Sequence, residues 1–549
     1  MIALGLSSTQ RTWLTALLLM LAEFLVFDRM TSRHHAHFFP RWTDQTQYLA
    51  EAYAGYEDLR AHGLWHALRA TLTNQAAQGT LHDVLAVLAF WLVGSPSRSA
   101  ALSLNMLAFL AWQAALLAAV PRVSGSRPLG WIGFGILLCL AGPWTVDAGS
   151  AVDFRLDHGA MCLVGVTAAC ALLTAGFRSL GWSVVFGVAA GVTVIGRFLT
   201  GAYFAPIFLV CTIWILLGDS RRLRLRNLLA AGIAAAVPFV LTVWPNRFSI
   251  YNYYWVGHVT SVEADARASG LNPWGALEFI VSHVGREQLG LCFGGTAAAL
   301  IALLLVAGHL KPRRPPPAAD GNWLFFGLVF LLVPAAVLCA DRQKSPFVLG
   351  VLVPGVVLLL LWLWAWLLRR IDFDASNPIL RLIPAGLAVV AVAAGGQYFL
   401  RRQLAQPYDQ QFLADARKVN QLADYLDATA SAAGLASPRI GADQLLDFLD
   451  GRTMSVLCYE RHGTWRWFTV ALPVGVAAQT DDFIFERLQQ CDFFLLTDEM
   501  SGRGYYPYDQ QMRRLHPIVK TWCEEHLRRV ETFPLFGRTL SLYQRRGLP

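Results

Sequence analysis

The stretch Leu81–Val93, LHDVLAVLAFWLV, decides how the rest of the chain is read. It is apolar, yet only 13 residues long. As a helix it would rise about 20 Å, against a bilayer hydrocarbon core of about 30 Å. It therefore reads as a helix lying in the membrane interface. If it spanned, every later loop would change sides.

Spanning candidates of roughly the required length surround it. They cover about 12–28, 100–120, 129–143, 158–175, 182–196, 202–217, 228–244, 290–308, 323–340, 347–368 and 382–399. The expected fold is a polytopic α-helical membrane protein of about 11 transmembrane helices, followed by a C-terminal extracytoplasmic α/β domain.

Composition agrees. Of 549 residues, 55% are hydrophobic and 15% charged. The mean hydropathy is +0.43. These values exclude an ordinary soluble enzyme and a disordered chain.

Charge locates the domains. Residues 1–399 carry 27 Lys+Arg and 19 Asp+Glu, a net +8; residues 400–549 carry 18 of each and are neutral. The first part reads as the membrane domain and the second as a globular domain.

Charge also sets sidedness. With Leu81–Val93 not spanning and the N-terminus inside, the inner segments hold 14 basic residues, among them Arg221, Arg222, Arg224 and Arg226. The longer outer loops hold 13. This bias is the positive-inside pattern. It places the N-terminus in the cytoplasm and the C-terminal domain outside. The basic balance is thus a topology signal, and nucleic acid is not an expected partner. Leu14–Phe27 reads as a first anchor, because Glu23 interrupts it and no small-residue cleavage site follows.

The unusual residues fall in the outer loops. The first, about 28–98, is too long for a plain connector. Its RWTDQTQYLAEAYAGYEDLRAHGLWHALRA, Arg41–Ala70, has the spacing of surface amphipathic helices. Asp44 stands before them, either as a cap or as a functional acid. The second outer loop gathers Asp147, Asp153, Arg155, Asp157 and His158 beside a span. Acids at the lip of a membrane cavity are candidates for function, and Asp157 could equally cap the next helix. The third, about 245–290, is rich in Tyr and Trp and contains His258. Two short outer turns hold cations: Arg197 in one, Arg342 and Lys344 in the other. Such cations snorkel to headgroups or bind a lipid phosphate.

In order and spacing these features resemble the GT-C superfamily of integral membrane glycosyltransferases. The similar branch is the bacterial one, akin to protein mannosyltransferases and lipid A aminoarabinose transferases. The matching elements are Asp44-Gln45-Thr46-Gln47-Tyr48 in the first outer loop, the surface helix Leu81–Val93, and Arg155-Leu156-Asp157 opening a span. Two more are the glycine-rich GVAAGVTVIGRF ending at Arg197, and Lys344-Ser345-Pro346 before the run to Pro354. Where the family often has Pro-Pro-Leu, this chain has Gly79-Thr80-Leu81.

The resemblance implies transfer of a sugar from a polyprenyl-phosphate-type carrier to an acceptor hydroxyl on the extracytoplasmic face. The acceptor would be a glycan, a lipid or a protein, with membrane lipids around. Asp44 is the expected general base, and Asp153 or Asp157 would orient the acceptor or share that role. Tyr48, Arg155, Arg197, His258, Arg342 and Lys344 are the substrate-binding candidates, the cations meeting the charge of the leaving phosphate.

No cofactor is expected. His34, His35 and His37 lack the spacing of a structural zinc site, and a divalent ion between Asp153 and Asp157 stays open. A transporter or flippase of a lipid-linked glycan is the alternative, kept open by Glu23. It would usually show matching halves and broken spans, which the sequence lacks. A membrane scaffold without catalysis is the third reading.

In the C-terminal part, Gln411–Gly434 has helical spacing. PRIGAD, TMSVLCYE and CDFFLLTDE read as strands, 509–529 as helix, and Val530–Arg546 as a closing hairpin. There is no phosphate-binding glycine loop. Of Cys458, Cys491 and Cys523 at least one must be free, and a Cys458–Cys491 bridge stays open.

Overall fold

In a computed structural model of the protein, the described residues are 7–35, 44–73, 76–144, 149–290, 319–370, 410–444, 446, 449–472, 477–498 and 506–548. The expected spans over 290–308 and 382–399 lie outside them, as do Asp147, Cys292 and the His34–His37 side chains.

Helix α1 (Ser8–Met30) begins with a reciprocal cap. The Ser7 hydroxyl accepts from the Gln10 N–H, and the Gln10 side chain accepts from the Ser7 N–H. Leu14, Leu17, Leu18 and Leu21 are exposed along it, as expected of a lipid-facing anchor. Glu23 faces inward and accepts from Gln113 Nε2 at 3.0 and 3.2 Å.

The long outer loop folds as expected into helices α2 (Asp44–His62), α3 (Leu64–Thr73) and α4 (Leu81–Val93). Helix α4 has the bounds read from the sequence and stops at Gly94, whose φ of 82° breaks the helix.

Then come α5 (Arg98–Ser124), α6 (Arg127–Leu138), α7 (Leu156–Leu173), α8 (Leu180–Gly196), α9 (Gly201–Leu216) and α10 (Arg221–Ile250). After the short α11 (Val262–Arg267) and α12 (Pro273–His283) follow α13 (Ala319–Ala340) and α14 (Val353–Arg370). Among the described residues six helical segments are long and apolar enough to cross a membrane. The protein is a multi-pass membrane protein.

One loop boundary moves. The sequence ends a span near 244 and starts an outer loop at Pro245. In the structure α10 continues through Pro245 and, as a wider π-helical stretch, through Tyr251–Thr260. The 40 residues from Arg221 reach about 60 Å, twice the hydrocarbon thickness. The aromatic segment is therefore the C-terminal end of a long helix, and proline is tolerated because membrane helices re-satisfy the freed carbonyl.

The C-terminal part is a five-stranded mixed sheet with helices, as expected. Its strands are β1 (Arg439–Ala442), β2 (Phe468–Thr469), β3 (Phe493–Thr497), β4 (Leu527–Leu535) and β5 (Arg538–Arg545), in the order β2-β1-β3-β5-β4. β2, β1 and β3 are parallel; β5 and β4 form the antiparallel closing hairpin. Helices α15 (Gln410–Ala432), α16 (Gly451–His462), α17 (Asp481–Gln490) and α18 (Pro507–His526) accompany it.

One expectation is corrected here and one open pairing is settled. TMSVLCYE, read as a strand, is the body of α16. The Asp450 carboxylate caps it by accepting from Thr453 N–H, and Gly463 ends it at φ 65°. Thr453 through Tyr459 are all buried, so the run shows no amphipathic period that would mark it as a helix. The Cys458–Cys491 bridge is not formed, and Cys523 is free as well. Cys458 lies in the core under α16 and Cys491 in a separate core between α17 and the sheet.

Candidate functional site

Two acid–arginine contacts meet where the outer-loop helix α2 faces the start of α7. Asp44 is the first residue of α2. Its carboxylate lies 3.1 Å from Arg155 Nη2. Arg155, 2% exposed, turns its Nε to Asp153 at 2.9 Å, and Asp153 is fully buried. One guanidinium thus holds an exposed carboxylate (62%) from above and a buried one from below. Arg155 also lies 4.9 Å from the centroid of the Phe347 ring, a cation–π contact.

Asp153 is fixed further. The same oxygen accepts from the Gly149 N–H at 2.9 Å, and the Asp153 backbone carbonyl accepts from Asn105 Nδ2. Burial pushes the Asp153 carboxyl up to about 7, against the opposing pull of Arg155 and the Gly149 N–H. Burial works against the Arg155 cation, and the carboxylates of Asp44, Asp153 and Asp157 outweigh it, so the guanidinium is held charged.

Asp157, in the first turn of α7, pairs with Arg197 Nη2 at 3.0 Å, and both are buried. Arg197 ends α8, where the chain leaves the helix in an extended conformation. Its Nε is buried without a hydrogen-bond partner among the described residues, as are Tyr203 Oη and His258 Nε2. Buried donors of this kind are normally satisfied. The charge of Arg197 acts on both Tyr203 and His258, so the three groups share one neighbourhood.

Tyr48 lies one helical turn after Asp44. Its hydroxyl donates to Gln78 Oε1 at 2.5 Å. Burial raises it well above the usual phenol range; the Arg197 cation opposes this, and Asp44, Tyr253 and Asp157 add to it. Arg155 also interacts with Tyr48 through its charge, so the two arginine contacts and the end of the long helix α10 converge on one region.

The departure from Pro-Pro-Leu has a structural account. The Gln78 carbonyl accepts from Phe198 N–H at 2.7 Å, and Thr80 N–H donates to the Ile195 carbonyl at 3.1 Å. Residues 78–80 thus pair with the backbone on both sides of Arg197. A side chain on Gly79 would come within 2.4 Å of the Gly196 carbonyl. A proline at 80 would remove the N–H. Gln78, Gly79 and Phe347 were not among the residues singled out from the sequence. The only sequence signal was the break in the motif at 79–80.

The remaining candidates lie differently. Arg342 pairs with Asp265 at 2.8 Å on the surface and donates to the Val259 carbonyl. Lys344 Nζ donates to the carbonyls of Leu338, Cys339 and Asp341, closing the end of α13. Burial lowers the Lys344 ammonium somewhat. His258 sits in the π-helical end of α10 with its ring against Tyr253 and Tyr254.

Asp153 and Asp157 each have a guanidinium as partner. That donor set is poorly suited to a divalent cation, which would have to displace an arginine.

The C-terminal domain braces this site from behind. Tyr53 of α2 stacks on Tyr459 of α16 at 4.9 Å and donates its hydroxyl to Glu460 at 2.7 Å. Glu460 also pairs with the buried Arg98 at 3.1 Å, and Tyr459 donates to Glu57 at 2.8 Å. Arg452 donates to Gln47, three residues from Asp44.

No protein-family model and no curated protein matches the sequence. Solved structures do match. ArnT from Cupriavidus metallidurans bound to undecaprenyl phosphate superposes with a TM-score of 0.57 at 16% identity, covering 97% of this chain and 98% of ArnT. The chain has the ArnT fold. The likeness runs over essentially the whole length of both chains. The apo state of the same ArnT gives 0.56 at 16% identity, with 98% of each chain covered. The archaeal oligosaccharyltransferase AglB from Archaeoglobus fulgidus, solved with an inhibitory peptide and a dolichol-phosphate, gives 0.45 at 10% identity over 92% of this chain and 74% of its own.

Proposed function

We propose that the protein transfers a sugar from a polyprenyl-phosphate-type carrier to an acceptor hydroxyl, on the extracytoplasmic face of a bacterial inner membrane. The observation that carries this is the Asp44–Arg155–Asp153 chain beside the Asp157–Arg197 pair, in a chain with the fold of ArnT. ArnT has been solved with undecaprenyl phosphate.

In this reading Asp44 takes the proton of the acceptor hydroxyl as its oxygen attacks the anomeric carbon. The bond from that carbon to the carrier phosphate breaks, and the electron pair leaves with the phosphate. A carboxylate in reach of a weak nucleophile supplies general-base catalysis worth about 10²–10⁴-fold. Arg155 fixes the direction of Asp44 and leaves its outer side open. Arg197 meets the phosphate with its unused Nε, a fixed cation where negative charge grows. Tyr203, Tyr48 and His258 supply polar contacts around it. Lys344 and Arg342 join only by leaving their present carbonyl and carboxylate partners. Asp153 holds Arg155, and Asp157 orients Arg197, so both serve as positioning groups. Glu23, the residue that favoured a transporter, is satisfied by Gln113, which is a packing role.

The test is incubation of purified protein with defined polyprenyl-phosphate sugars and candidate glycan, lipid and protein acceptors, with mass analysis of products. Asp44→Asn should fold normally and lose transfer. Full transfer by that variant would remove Asp44 as the base, and no transfer from any such donor by the parent would remove the reading itself.

A further inference from the structure

We propose that Asp58, His62 and His66 form a binding site for a divalent transition-metal ion of the zinc type, at the elbow between α2 and α3. Asp58 and His62 are four residues apart on α2 and so share a face. Gly63, at φ 85°, breaks the helix and turns the chain into α3. That turn brings His66 back to the same point. His62 Nδ1 lies 2.7 Å from one Asp58 oxygen, and His66 Nδ1 lies 2.8 Å from the other. The two rings are 4.7 Å apart, and the ligand atoms of all three residues fall within 4.8 Å of one another.

A single histidine–aspartate contact on a surface is ordinary. Two imidazoles from two helices aimed through the same ring nitrogen at the two oxygens of one carboxylate make a convergent donor set. Ligand distances to zinc of about 2.0–2.2 Å put neighbouring donor atoms a little over 3 Å apart. The side chains, all partly exposed, open each imidazole–carboxylate contact slightly and rotate to bring the two imidazole nitrogens, now within 4.8 Å of each other, to that spacing. Two nitrogens and one carboxylate favour zinc, cobalt or nickel over calcium or magnesium, which prefer oxygen alone. Three protein ligands leave a fourth position for water. The ion would pin α3 to the C-terminal end of α2, whose other end carries Asp44 and Tyr48. The site is independent of the proposed transfer reaction.

The test uses full-length protein in detergent, prepared without a polyhistidine tag, stripped with chelator, and carrying His34, His35 and His37 as Gln. Zn²⁺ binding is measured by calorimetry, and Co²⁺ binding by its visible absorption. One equivalent should bind, with a tetrahedral-type Co²⁺ spectrum and a rise in Tm. His62→Ala, His66→Ala and Asp58→Asn should each weaken binding at least tenfold while leaving the metal-free Tm unchanged. Absence of stoichiometric binding, or equal binding by the parent and both histidine variants, would overturn the proposal.

Discussion

Arg197 and Asp157 form a 3.0 Å ion pair with both partners buried, one at the end of α8 and the other in the first turn of α7. Removing one member of a buried pair strands a charge and costs about 3–5 kcal/mol, whereas replacing both is far milder. Asp157→Asn and Arg197→Gln should each lower thermal stability in detergent markedly. The double variant should recover most of it. Transfer activity should stay lost in the double variant, because the phosphate contact goes with Arg197. A double variant as unstable as the singles would mean that the two residues are held mainly by other neighbours.

Asp153 gives a pH dependence with a definite sign. Its folded carboxyl is raised to about 7 from an ordinary 3.8, chiefly by burial. The folded state therefore holds a proton that the unfolded state has released between about pH 4 and pH 7. Stability from this group is full below about pH 4 and falls as pH rises through 7. Melting curves of the parent minus those of Asp153→Asn should isolate this slope. A flat difference across that window would show that Arg155 keeps Asp153 ionised throughout.

Glu460 ties the C-terminal domain to the site. It receives the Tyr53 hydroxyl and neutralises Arg98, which is almost completely buried. Glu460→Ala removes the carboxylate that pairs with Arg98 and accepts from Tyr53, loosening α2, so stability should fall by about 1–3 kcal/mol. Transfer should drop more in kcat than in KM, since α2 sets the direction of Asp44. Glu460→Gln keeps an acceptor for Tyr53 and should recover part of both. Unchanged kcat in Glu460→Ala would separate the domain from the chemistry.

The multi-pass helical fold was legible in the sequence because bilayer thickness acts on composition directly. The 13-residue length of α4 and the acids beside α7 needed no tertiary information. What was not legible depends on partners distant in sequence. Tyr53 and Glu460 are 407 positions apart, and nothing in either neighbourhood announces the pair. The reach of α10 was lost because aromatic, proline-containing sequence reads as an interfacial loop, while a helix supported by neighbours carries it through. Helix α16 looked like a strand because burial on all sides erases the amphipathic period. Arg155 was found by motif, but its bridging of two carboxylates follows only from the folded positions of Asp44 and Asp153.

That bridge makes the sharpest distinction between charge and shape. Arg155 uses Nη2 for Asp44, Nε for Asp153, and its flat face for Phe347. Lysine carries the same charge but has no planar fork, so it reaches one carboxylate at a time. Arg155→Lys should fold, since Asp153 keeps a cation, and should leave Asp44 free to rotate. A misplacement of about 1 Å at a reacting group costs about 10²-fold, so kcat should fall by that order. The KM for the lipid-linked donor should change little, because Arg197 is untouched. Transfer kinetics of Arg155→Lys beside Asp44→Asn measure this. Comparable losses in both variants would place Arg155 in the orientation of the base. Near-parental kcat in Arg155→Lys would show that only the charge matters there.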